Sequence, residues 1–181
     1  MRLLLYVFLL SPLCCFGQTP NADSIMEKLS TAYCAHTSNT KWKILQRPNP
    51  KNPLKTHYSI TYAKECGYKL ALKVSLEGIN FTVPQDSKIE LITESGKSFW
   101  MHTERKERSC KGCGSVDKED DKPGVTLYCK LNNSDFLFFN NQYPEHIRIY
   151  LPEVSYGGRI NVKRSEIFCE QMEIASKFQF N

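Results

Sequence analysis

The sequence predicts an α+β domain: an antiparallel β-sheet of about six to eight strands with N- and C-terminal helices packed on it. Alternating apolar residues through the middle of the chain argue for strands exposed on one face. A capping box near the start and an amphipathic stretch at the end argue for the helices. At 181 residues, 41% hydrophobic and 24% charged, the chain is long and apolar enough for one packed core, and its length suits a single domain.

The first segment, residues 1–17, reads as a secretory signal peptide. Arg2 supplies the positive start, Leu3 to Leu10 an uncharged apolar run, and Cys15-Phe16-Gly17 the small residues of a cleavage site, so residues 18–181 form the mature domain. The apolar run is shorter than the roughly 20 residues a membrane span needs, and no later stretch reaches that length. The mature protein is therefore expected in the periplasm or outside the cell, without a transmembrane segment. Cleavage leaves Cys34, Cys66, Cys110, Cys113, Cys129 and Cys169. An even number in an exported chain makes all of these disulfide candidates, with Cys34–Cys169 a natural bridge between the terminal helices. Asn80 and Asn132 stand in glycosylation triplets that matter only in a eukaryotic host.

Ser24 and Glu27 form the capping box of a helix running to about Cys34, with Ile25, Leu29, Ala32 and Tyr33 at helical spacing. Residues 46–53 hold three prolines and read as a loop. Strands follow where Tyr58, Ile60 and Tyr62 alternate with polar neighbours, and again at Leu70 to Leu76, Ile79 to Val83, Ile89 to Ile92 and Phe99 to His102. Glu94 to Lys97 is the turn of a hairpin. Val125 to Cys129 and Ile147 to Leu151 give further strands, with a short helix over Asp135 to Phe139 capped by Asn133 or Ser134. Tyr156-Gly157-Gly158-Arg159 reads as a tight turn into a strand at Ile160 and Val162. From about Ser165 to Lys177, Ile167, Phe168, Met172, Ile174 and Ala175 mark a helix docked on the sheet.

Between these elements lies a long polar loop, residues 104–123, in which Val116 alone is apolar apart from the cysteines. Loops of that length inside a domain commonly carry function. Arg105, Lys106, Arg108 and Lys111 are its candidate binding residues. The formal charge of +5 is too small and dispersed for a nucleic-acid footprint. No Gly-x-Ser-x-Gly, His-Glu-x-x-His or dinucleotide fingerprint appears, and Gly96-Lys97-Ser98 lacks the earlier glycine of a phosphate loop. The aromatic group Phe136, Phe138, Phe139 and Tyr143 is read as core rather than as a ligand groove.

One motif carries pointed chemistry, Cys110-Lys111-Gly112-Cys113. As a structural staple it closes a small loop or ties that loop to another cysteine. As a redox pair it needs a helix N-terminus behind the first thiol, and the following residues are poor helix formers. As a zinc site it needs two more ligands, for which His102 and Cys129 are nearest, and a second close cysteine pair is missing. The expectation is therefore an exported, non-catalytic binding or structural module without a cofactor, contacting an extracytoplasmic protein or glycan through the 104–123 loop. The alternative is a thiol redox or zinc protein using Cys110 and Cys113.

Overall fold

In the computed structural model, described for residues 40–50, 52–63, 66–116 and 121–177, antiparallel pairing accounts for every strand contact. The strands are β1 (Lys43–Gln46), β2 (Leu54–Ala63), β3 (Gly67–Leu76), β4 (Thr82–Val83), β5 (Lys88–Thr93) and β6 (Ser98–His102), followed by β7 (Glu107–Arg108), β8 (Cys110–Lys111), β9 (Pro123–Leu131), β10 (Pro144–Tyr150) and β11 (Ser155–Arg159). Helix α1 (Asn133–Phe138) precedes β10, and α2 (Val162–Ser176) ends the described chain. The expected signal peptide, first helix and Cys34 lie outside the described residues.

Two sheets share one core. The larger runs β1-β2-β3-β9-β8 and the smaller β11-β10-β5-β6, with β4 and β7 as a separate ribbon. In the larger sheet the register stacks Tyr58, Leu72 and Leu127 in one row and Ile60, Leu70 and Cys129 in the next, all buried. Ile89, Leu91, Phe99, Met101, Ile147 and Ile149 of the smaller sheet enter the same core. Strand parity does this: one apolar residue in two faces inward, so each sheet offers one complete apolar face. The sheets are joined where Thr103, just past β6, forms a bridge with Cys129 of β9, and Glu104 N–H donates to Tyr128 O at 2.9 Å.

The α+β expectation is corrected: the protein is mostly antiparallel sheet, with two short helices of 6 and 15 residues among the described residues. Sequence reading undercounted strands in places where polarity or glycine masked them. Within the 104–123 loop, Glu107–Arg108 pairs with Thr82–Val83, and Cys110–Lys111 pairs with Pro123–Gly124. The Tyr156-Gly157-Gly158-Arg159 segment is not a turn but strand β11; the turn precedes it, where Leu151 N–H meets Val154 O at 2.8 Å. Its glycines serve close packing, because a Cβ on Gly157 would stand 2.9 Å from the Ile147 carbonyl. Ile160 and Val162 consequently lie beyond the strand, where Asn161 caps α2 by accepting from Lys163 N–H at 3.0 Å.

Helix α2 buries Ser165, Phe168, Met172 and Ala175, spaced three and four residues apart, while Ile174 remains exposed. A chain of ring contacts ties it in. Tyr58 meets Phe168 at 5.0 Å, Phe168 meets Phe139 at 5.1 Å, and Phe139 meets Phe99 at 4.8 Å. Phe139 is thus core, as expected of that aromatic group, whereas Tyr143 is exposed. The helix α1 start is shifted by one residue from expectation: Asp135 accepts from the N–H of Asn132, which is the N-cap.

Candidate functional site

Away from the core, the smaller sheet turns its other parity toward solvent. Registers place Arg148 of β10 opposite Glu90 of β5, and Glu90 opposite Trp100 of β6. Lys88 and His102 pair at one end of this face and Ile92 and Ser98 at the other. Trp100 is 47% exposed, although its neighbours Phe99 and Met101 are both buried. Its ring lies beside Tyr150, centroids 5.7 Å apart at an interplanar angle of 34°. Lys88 Nζ stands 5.9 Å from the Trp100 ring centre, and the Arg148 guanidinium 5.9 Å from that of Tyr150.

Beneath these rings Glu90 is 5% exposed, a carboxylate nearly closed off from water. Such burial is tolerated only where donors replace the lost hydration. Ser98 Oγ donates to Glu90 Oε1 at 2.6 Å and Tyr150 Oη to Oε2 at 2.8 Å. Arg148 Nη1 donates to Tyr150 Oη at 3.1 Å and lies 3.5 Å from Glu90 Oε2. The Tyr150 hydrogen bond comes first, ahead of Glu90, in holding the Arg148 guanidinium above its ordinary range. These hydrogen bonds hold the Tyr150 ring and the Arg148 guanidinium in place beside Trp100. The outer face thus joins an exposed indole, a neighbouring phenol ring, a guanidinium and a flanking ammonium.

The residues expected to bind fall elsewhere. Arg105 pairs with Glu107 and lies over the Tyr128 ring, centroid distance 5.4 Å. Lys111 Nζ reaches Asp121 Oδ2 at 2.8 Å, and Lys106 and Arg108 are exposed. The loop thus joins a cation, a carboxylate and a ring at Arg105, Glu107 and Tyr128, but its cation is already paired with that carboxylate. It is nevertheless anchored: Lys73 Nζ donates to Ser115 O at 2.7 Å, and Thr126 Oγ1 to Cys113 O at 3.2 Å.

Cys110 and Cys113 are joined to each other, Cα atoms 5.4 Å apart, around a turn in which Gly112 has φ +73°. Cys66 is also disulfide-bonded. Cys129 and Cys169 are free thiols, so the proposed Cys34–Cys169 bridge and the full pairing of the six mature cysteines do not hold. Cys169 Sγ donates instead to Gln142 O at 3.6 Å. Its burial, then the nearby Glu94, push its thiol up to about 11. Burial, then Glu104, push Cys129 up to about 12.

The zinc set is not assembled. Cys110 and Cys113 offer a disulfide rather than thiolates, Cys129 is sealed in the core, and His102 is exposed with Nδ1 3.3 Å from Asp86 O. Among the described residues no three His, Cys, Asp or Glu side chains gather as metal ligands. A groove of about 490 Å³ between α1 and α2 has Phe136, Phe139 and Met172 in its lining and Glu166, Glu170 and Glu173 along one side. No carboxylate, ring and cation are linked there by hydrogen bonds as on the sheet face.

Trp100 and Glu90 were not singled out from sequence, although a signal was present. In β6 the apolar parity is set by Phe99 and Met101, so Trp100 shares its side of the strand with Ser98 and His102. Glu90 likewise sits between Ile89 and Leu91. Compared with known protein families, characterised proteins and solved structures, the chain matches none of them.

Proposed function

We propose that the protein is an exported, non-catalytic binding module that meets its ligand on the outer face of β10, β5 and β6, rather than on the 104–123 loop. The observation that carries this reading is the exposed Trp100 ring lying against half-buried Tyr150, whose hydroxyl donates to the buried Glu90. Isolated exposed aromatics are ordinary, but one lying against a ring that is itself hydrogen-bonded to a buried carboxylate is partly pre-organised, which lowers the cost of binding. Both Glu90 oxygens are occupied by donors from this chain, so the carboxylate positions its neighbours and is poorly placed to move a proton. The disulfides at Cys66 and Cys110–Cys113 support an oxidising, extracytoplasmic location. No helix among the described residues is long and apolar enough to cross a membrane.

The test presents wild type, Trp100→Ala and a Lys106→Ala/Arg108→Ala double variant to arrays of immobilised glycans and immobilised peptides. Signal lost in Trp100→Ala and kept in the double variant supports the sheet face. The reverse pattern returns the contact surface to the loop, and no signal on either array overturns the binding reading.

Exposure of Cys110 favours a second reading, thiol–disulfide exchange. An incoming thiolate would bond to Cys110 Sγ and release Cys113 as thiolate. Equilibration in glutathione buffers decides it: a disulfide still intact below about −300 mV is structural, and one poised near the −200 mV range is exchangeable.

A further inference from the structure

Resting on the sheet-face reading, we infer that the ligand is a glycan bearing a carboxylated pyranose, stacked on Trp100 with its carboxylate at Lys88. A pyranose ring has an apolar C–H face and a rim of hydroxyls, so it is matched by an aromatic plane surrounded by polar groups. The outer face supplies that combination: the Trp100 indole, extended by the Tyr150 ring 5.7 Å away, with Ser98, Arg148 and His102 at its margins.

Charge narrows the class. Arg148 is neutralised locally, since its guanidinium lies against Glu90 and Tyr150. Lys88 is different. Among the described residues it has no carboxylate partner, and its ammonium stands 5.9 Å from the centre of the Trp100 ring. A carboxylate projecting from the rim of a sugar stacked on that ring would come within ion-pair reach of this ammonium. One unpaired cation beside one exposed platform suits one acidic group per sugar. A nucleic-acid strand would require a track of cations with successive stacking rings, which this face lacks. A bound peptide would need an open strand edge or side-chain pockets, and this surface is the broad face of the sheet.

Carboxylated pyranoses come as hexuronates or as nonulosonates, and the test separates them. Full-length protein carrying Trp42→Phe, so that Trp100 alone reports emission, is titrated with trigalacturonate, its methyl ester, 3′-sialyllactose and lactose. The expected result is binding of at least one acidic sugar with a change in Trp100 emission, and weaker binding of its neutral counterpart. Affinity should fall about three- to fivefold in Lys88→Met, the scale of one exposed ion pair, and should weaken with added salt. Trp100→Ala, read by calorimetry, should lose more than about tenfold. Preference for trigalacturonate identifies a hexuronate and preference for sialyllactose a nonulosonate, and either supports the inference.

Equal affinity for acidic and neutral forms, with Lys88→Met unchanged, overturns the carboxylate assignment and leaves the sheet face standing. Absence of binding to all four sugars overturns the glycan inference. In that case Trp100-dependent capture on the peptide array would preserve the sheet-face reading, and its absence would remove that as well.

Discussion

Glu90 shows how a single side chain organises a surface. A carboxylate at 5% exposure is stable here because Ser98, Tyr150 and Arg148 all donate to it or to its partner. Glu90→Ala removes the acceptor and leaves Tyr150 Oη and the guanidinium without their shared anion. Hydrogen bonds to charged groups contribute roughly 1.5–3 kcal/mol, so the variant should lose about that much stability. Urea denaturation checks this, with Glu90→Gln, which keeps shape and one acceptor, expected to lose less. A loss of no more than about 0.5 kcal/mol, the ordinary size for a surface change, would mean the network is not held by Glu90. The parity argument that reveals Trp100 and Glu90 was available from residues 88–102. It was not decisive, because an outward aromatic becomes a site only when neighbouring strands bring Tyr150, Arg148 and Lys88 beside it.

For the elements, the informative case is the segment from Glu104 to Pro123. Its polarity hides two short strands, since β7 and β8 are held by backbone pairing and need no apolar side chain. Backbone proximity is the determinant where the turn after Cys113 meets β9 and β3. A Cβ at Gly114 would overlap the Val74 carbonyl and lie 2.8 Å from Gly124 Cα, so both glycines are needed for that approach. Gly114→Ala should therefore destabilise by roughly 1–3 kcal/mol and loosen the Cys110–Cys113 turn, as judged by denaturant midpoint and by amide exchange across residues 110–116. Unchanged exchange there would show that the close approach is not required. The hairpin of β5 and β6, by contrast, was legible in sequence: Gly96 takes φ +77° and Thr93 N–H meets Lys97 O at 2.9 Å.

Taken as a whole, the molecule places titratable groups inside a common core. The Cys129 thiol is pushed up to about 12 and that of Cys169 to about 11, burial leading in both, and burial likewise drives the Tyr58 phenol upward. Well below pH 9 the folded and unfolded thiols are both protonated. Above it the unfolded chain gives up protons that the native state retains, so the unfolded state binds fewer and stability falls as pH rises. For the buried Cys129 the decline continues until its native thiol titrates near 12, at up to about 1.4 kcal/mol per pH unit. Thermal unfolding of wild type and Cys129→Ala between about pH 8 and pH 11 should give a shallower fall in the variant. Parallel curves would exclude Cys129 as a contributor.

The sequence by itself determined the local order that rests on short-range physics. Alternation set most of the strands and the spacing of Phe168, Met172 and Ala175 set the inward stripe of α2, because side-chain periodicity depends only on backbone geometry. The tertiary structure decided how many strands there are, which sheet each joins, which thiols pair and which side chains meet on the outer sheet face. Each of these depends on contacts between residues far apart in the chain: Gly157 with the Ile147 carbonyl, Glu104 with Tyr128, Tyr150 with Glu90. Composition and period encode which face of a strand is apolar; the partners that meet across the other face are chosen only when the sheets assemble.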